Sequence, residues 1–134
     1  MFTEVENRYL SSHTLGRLAS IGPDGAPQIH PVLFRVDPVG NSIEIGGPLL
    51  HKTQKFRNIK RDPRVSLDVD DQAPDPAGSS GQTARGLEIR GAAELSQPTQ
   101  PLTSGFSTDI IRIRPALIVA WNLDRPGYHS RFVT

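Results

Sequence analysis

Apolar and polar residues alternate along most of this chain with the two-residue period of half-buried strands. Leu15 to Ile21 and Gln28 to Asp37 are two such runs. Pro23-Asp24-Gly25 between them predicts a turn, because proline presets φ and glycine accepts a positive φ. In the second run His30, Val32, Phe34 and Val36 share one face, and Ile29, Pro31, Leu33 and Arg35 share the other. Pro31 has no N–H to give a ladder, which predicts an open edge or a bulge there. A turn over residues 38–41 leads to a third strand, Ser42 to Gly46, with Ile43 and Ile45 inward. Val65, Leu67 and Val69 then alternate with Ser66, Asp68 and Asp70. Leu87 and Ile89 alternate with Glu88 and Arg90 in a strand running on to about Leu95. Ile111 and Ile113 alternate with arginines, Pro115 interrupts, and Ala116 to Asn122 continues as a nearly unbroken apolar strand.

Two stretches depart from that period. Residues 3–12 predict a short N-terminal helix, with Val5, Tyr9 and Leu10 near one face and Glu4 and Glu6 in the dipole-favoured first turn. Residues 50–61 predict a mid-chain helix, stopped by Asp62-Pro63. Residues 71–83 have no apolar period and read as a mobile loop; 96–106 are irregular, and 125–132 read as a loop carrying two aromatics. The fold expected is mainly β: a six- to seven-stranded antiparallel barrel with a short N-terminal helix and one mid-chain helix. The same strands and turns also suit a sandwich, and the closed barrel is preferred because nothing else in the sequence covers the sheet edges.

Composition narrows the function. The 134 residues make one expected domain, 1–134, and twelve glycines and twelve prolines suit short strands and turns. A net charge of +1 gives no whole-molecule attraction to nucleic acid or to an anionic membrane. The absence of cysteine excludes disulfides, thiolate metal sites and cysteine nucleophiles. Residues 1–6 have no basic region followed by an apolar run, and no apolar run approaches membrane-spanning length, so a cytoplasmic protein is expected. His13, His30, His51 and His129 lack metal-ligand spacing, and Ser20 and Ser66 form no triad with them, which argues against a metal site and against a hydrolase.

The electrostatic candidate is local. Gly46 to Arg64 carries six cations. On a helical wheel at about 100° per residue, Phe56 and Ile59 fall on one side with Lys52 near them, and His51, Lys55 and Asn58 form the neighbouring stripe. Gly46 and Gly47 ahead of the helix let backbone N–H groups approach a ligand, and the helix N-terminus adds positive potential. A phosphate-sized anion site and a solvated basic helix with an apolar stripe both fit this pattern. For Arg57, Lys60 and Arg61, on the outer face, the solvated surface is the better reading.

Four stretches resemble the pyridoxamine-phosphate-oxidase-like flavin-binding split barrels. They are Leu15 to Val32, the run Lys55-x-x-Asn58-Ile59-x-x-Asp62-Pro63-Arg64-Val65-Ser66-Leu67, Leu87 to Glu94, and Ile113-Arg114-Pro115 with Trp121. The second is the most specific, and together they cover most of the chain. Short chains of this kind are similar to the branch that uses the deazaflavin coenzyme F420 and includes the dehydrotetracycline reductases; FMN is the alternative cofactor. The resemblance implies a homodimer with the cofactor in a groove at the interface. It places Lys55 as the phosphate-binding lysine and Gln28 to Val32, with His30 and Pro31, along the flat ring system. It also implies hydride transfer to a small conjugated substrate, a cofactor-borne reaction for which no catalytic side chain is assigned. A non-catalytic cofactor- or haem-binding protein is the alternative from another class. The chain departs from the family at His51 and Thr53, where some members carry arginines that Lys52 would have to replace, in the irregular 96–106 segment and in the long 71–83 loop.

Overall fold

The alternating runs become seven antiparallel strands in the computed structural model, which describes residues 1–37, 39 and 41–133. They are β1 (Leu15–Ile21), β2 (Pro27–Asp37), β3 (Ser42–Gly46), β4 (Arg64–Gln72), β5 (Ala84–Ser96), β6 (Ile110–Trp121) and β7 (Tyr128–Phe132). The turn expected over 38–41 includes Pro38 and Gly40, which lie outside the described residues. The strand order is β3-β2-β1-β4-β5-β6-β7, and β3 also pairs with β6, so β1 to β6 close into a barrel with β7 as an extra strand. Inward residues of every barrel strand supply the core: Leu18, Val32, Phe34, Ile43, Ile45, Leu67, Leu87, Ile89, Ile111, Ile113 and Ile118. Pro115 is absorbed rather than ending its strand. The β5–β6 register shifts between Arg90 and Gly91, and a Cβ on Gly91 would come within 2.0 Å of the Arg114 carbonyl oxygen.

Closure is partial. β3 is only five residues long and pairs with β2 from Leu33 to Asp37, so residues 27–32 of β2 pair on one side only, with β1. Pro31, opposite Arg17, therefore sits where a missing N–H has an open edge to face. On β6 the far edge is shared between β3, at residues 111–113, and β7, at residues 117–121. β7 corrects the expectation of a loop in the tail. Its Tyr128 and Phe132 are exposed, so the strand is held by backbone pairing and buries no apolar row that a sequence pattern would show.

Two helices close the gaps. α1 (Glu4–Ser11) starts with a capping box: the Glu6 N–H donates to Thr3 Oγ1 at 3.1 Å, and the Thr3 N–H donates to Glu6 Oε1 at 2.9 Å. Tyr9 Oη donates to Asp71 Oδ1 at 2.7 Å and Arg131 of β7 donates to Glu6, which pins α1 to the barrel. The mid-chain helix is shorter than expected. Leu50–Lys52 forms a 3-10 turn, the chain extends at Thr53, and α2 runs only from Gln54 to Arg61. The cause is Thr53, whose hydroxyl accepts the Phe56 N–H and begins a new helix there. α2 buries Phe56 and Ile59 in the core. The irregular 97–109 segment is a strap over β3: Leu102 and Phe106 cover Gly46, and the Ser107 N–H donates to the Gly47 carbonyl. The 71–83 loop is tied at its base, where the Ala73 N–H donates to Thr83 and Asn122 Nδ2 donates to Ala84. Among the described residues no helix is long and apolar enough to cross a membrane.

Candidate functional site

α2 and the one-sided part of β2 meet at Asn58. This side chain is fully buried, and its amide is wholly spent inside the protein. Nδ2 donates to Gln28 Oε1 at 2.8 Å and to Ser20 Oγ at 3.0 Å, and Oδ1 accepts from Gln54 Nε2 at 2.8 Å. Arg61 donates to the Ile21 carbonyl at 2.6 Å and ties the end of α2 to the same hairpin. Asn58 thus meets Gln28 directly and has no amide atom left for a ligand. Ser20 and Gln54 escaped the sequence reading. Their signals were a polar residue on the inward face of β1 and a glutamine one helical turn before Asn58.

Lys55, one turn before Asn58, is half-buried, and burial lowers its amine below the ordinary lysine range. Its amine has no ion pair and no hydrogen bond among the described residues. A desolvated cation without a counter-charge is costly, and an incoming anion would offset that cost. The other cations of the segment are placed differently. Arg57 donates to the Lys52 carbonyl and to Gln54, Lys60 lies over the Phe56 ring at 5.9 Å, and Lys52 is exposed. His51 does not share the Lys55 stripe, because the chain extends between the two at Thr53. Its Nδ1 stands 3.4 Å from Oδ2 of Asp109, a buried oxygen with no hydrogen bond. Gly46 and Gly47 do not lead into the N-terminus of α2. Gly46 ends β3 beneath the strap, where a Cβ would meet Leu102 at 3.0 Å, and the Gly47 carbonyl accepts from Ser107.

The outward face of the sheet offers two grooves. One, of about 350 Å³, runs along Leu15, Gly16, Arg17, Ile29, His30 and Pro31. It brings His30 and Pro31 together, whereas Val32 points into the core and is 5% exposed. The other, of about 420 Å³, has a floor of Ala19, Ile21, Pro27, Val65, Gly91 and Ala116. Ser66 Oγ donates to Glu88 at 2.5 Å on its rim, and Arg90 holds the Glu88 carboxyl below its usual range. At the first groove Arg17 meets both Asp68 and Asp70. Burial, then a hydrogen bond with Asp70, raises the Asp68 carboxyl to about 7. Among the described residues no group of three or more histidines and carboxylates is arranged to hold a metal.

Residues 2–122 match the pyridoxamine 5'-phosphate oxidase family. A 5a,11a-dehydrotetracycline/5a,11a-dehydrooxytetracycline reductase of Streptomyces rimosus subsp. rimosus is 34% identical over 99% of this chain and 94% of that protein. Among solved structures, an F420 reductase is 26% identical, covers 87% of this chain and 98% of its own, and superposes with a TM-score of 0.63. A conserved hypothetical protein of Mycobacterium tuberculosis is 25% identical, with 95% and 91% covered and a TM-score of 0.68. With the barrel, the helix that plugs it and these similarities, the chain belongs to the pyridoxamine 5'-phosphate oxidase family.

Proposed function

We propose that this protein is a deazaflavin-dependent oxidoreductase, using coenzyme F420 to reduce a small conjugated organic substrate. The observation that carries the proposal is Lys55, a half-buried ammonium with no counter-charge among the described residues, on the helix that Asn58 ties to the β1–β2 hairpin. It suits a cofactor phosphate, and the F420 reductase and the dehydrotetracycline reductase among the similar proteins support the same reading. When bound, such a cofactor supplies hydride transfer to or from an activated C=C. The residues of this chain bind and orient it. In this reading Lys55 holds the phosphate and the Gln28 amide lies along the ring, both outside the two grooves; the groove at His30 and Pro31 takes the rest of the ring, and the small-residue floor of Ala19, Gly91 and Ala116 leaves room for a flat substrate.

The protein acts as a homodimer in this reading. The outward face carries Leu15 and Ile29 on one flank and Tyr128 and Phe132 on the other, each more than 60% exposed. Such paired apolar flanks suit a second copy, which would wall in the grooves.

FMN is the second reading. His51 is turned to Asp109 and Arg57 to backbone and Gln54, which leaves few cations for a polyanionic tail. Titrating the purified protein with F420 and FMN side by side decides between them. The expected outcome is tighter binding of F420, lost on Lys55→Ala and kept on Lys60→Ala. Tight binding of FMN alone selects the second reading, and equal affinities of the two lysine variants remove Lys55 from the site.

A further inference from the structure

The hydrogen bonds around Asn58 have a direction, and that direction is set at the helix surface. The Arg57 guanidinium has only donors, so Gln54 must meet it with Oε1, at 2.8 Å from Nη2. Gln54 therefore turns its NH2 to Asn58 Oδ1. Asn58 in turn offers Nδ2, and Gln28 must accept with Oε1. That leaves the Gln28 NH2 as the unused end of the series. It lies where residue 22 has no side chain, since a Cβ on Gly22 would come within 2.8 Å of Nε2. Gln28 Nε2 has no acceptor among the described residues, and like Lys55 it is an unspent donor beside α2.

We infer that Arg57, Gln54 and Asn58 are positioning residues, a polar relay that holds the Gln28 amide with its NH2 presented to an acceptor oxygen of the bound cofactor. This rests on the cofactor reading above and assigns a task to three side chains that do not touch the ligand. A glutamine on a strand has two amide orientations of nearly equal energy in water; the relay selects one before the ligand arrives. Asn58 could equally be a plain buried tie between α2 and β2, and the two roles separate experimentally. A tie is indifferent to the direction of the bonds, whereas the relay depends on it.

Gln54→Glu tests the direction. It keeps the size of the side chain and puts an acceptor in place of the NH2, so Asn58 and then Gln28 must both turn over, exposing Oε1 in place of NH2. Cofactor affinity of this variant, measured by calorimetry with F420 and FMN, is expected to fall about tenfold, the worth of one hydrogen bond to a charged or carbonyl oxygen. Lys60→Gln makes the same change in charge on the same helix and is expected to cost less than about threefold. The loss caused by Gln54→Glu is expected to vanish in a Gln28→Ala background, because it acts through that amide. Gly22→Ala, which crowds Nε2 from the other side, should weaken binding without touching the relay. The phosphate-free chromophore of whichever cofactor binds tells the two acceptors apart. Retained sensitivity to Gln54→Glu assigns a ring oxygen and lost sensitivity a phosphate oxygen, and either supports the relay. A loss no greater than that of Lys60→Gln, or one that persists in full without Gln28, overturns the relay and leaves the cofactor reading intact. Failure of the unaltered protein to bind either cofactor overturns both.

Discussion

The cations of the sheet and those of α2 are handled in opposite ways. Of the strand arginines, Arg17, Arg35, Arg85, Arg90, Arg112 and Arg114 each meet a carboxylate on the same or a neighbouring strand. On α2, Lys55, Arg57, Lys60 and Arg61 meet none among the described residues, and the chain has no Asp or Glu between residues 45 and 61. The sheet neutralises itself; the helix concentrates a charge surplus that the overall balance of +1 conceals. Ion pairs on the sheet serve cohesion, whereas the unpaired lysine on α2 is a cost to the free protein that a ligand can remove.

The contrast is sharpest where a pair is broken. Glu44 is buried between Arg35 and Arg112, at 2.9 Å and 2.7 Å. Glu44→Gln is expected to destabilise the fold by about 3 kcal/mol, the low end for a buried pair because Arg35 reaches solvent. Denaturant unfolding measures it, and an unchanged midpoint would mean that the sheet network adds no cohesion. Lys55→Met is the counterpart. It should weaken cofactor binding by roughly 1.5–3 kcal/mol while leaving the free protein as stable as before or more so. A fall in its melting temperature would show that Lys55 has a counter-charge after all.

Acid titration separates the two kinds of carboxylate on the sheet. The raised Asp68 carboxyl binds its proton more tightly in the folded chain than in the unfolded one. Stability is therefore gained as pH falls from about 7 toward the ordinary carboxylate range. Asp71, held down to about 2 chiefly by its hydrogen bond from Arg85, contributes stability at higher pH and loses it as pH falls toward 2. Thermal melts should rise and then fall on acidification, and Asp68→Asn should remove the rise alone. The smallest effect belongs to Lys60→Ala, within about 0.5 kcal/mol for both stability and binding. A larger change would shift the site toward the outer face of α2.

The barrel was legible because period-2 alternation survives wherever one face is buried, as at Val65-Ser66-Leu67-Asp68-Val69. β7 was not, because it buries no apolar row, and backbone pairing and the Arg131–Glu6 pair leave no alternating pattern in the sequence. The break at Thr53 was readable in principle, since a threonine ahead of Gln54 is a helix start, but the apolar stripe running through Leu50 and Phe56 masked it. At the site, Lys55 stands out by spacing and by the resemblance, and Gln28 by the resemblance alone. The link between them was hidden, because Asn58 lies 38 and 30 residues from Ser20 and Gln28 and meets them only when α2 folds against their hairpin. Gly46 and Gly47 were misplaced for a similar reason: the strap that covers them comes some sixty residues later, at Ser107.

The β3–β6 pair also has a consequence in time. Ile43 and Ile113 are partners 70 positions apart, and the ring cannot close until both strands exist. Loops of that length close slowly, so closure is expected late in folding, after the β1–β2 and β4–β5 hairpins. During synthesis β3 waits for β6 to leave the ribosome, and until then its second edge and the Ile43 and Ile45 side chains are open to other chains. Pro31, which can add no ladder bond at the neighbouring open edge, is a standing safeguard against mispairing through that interval.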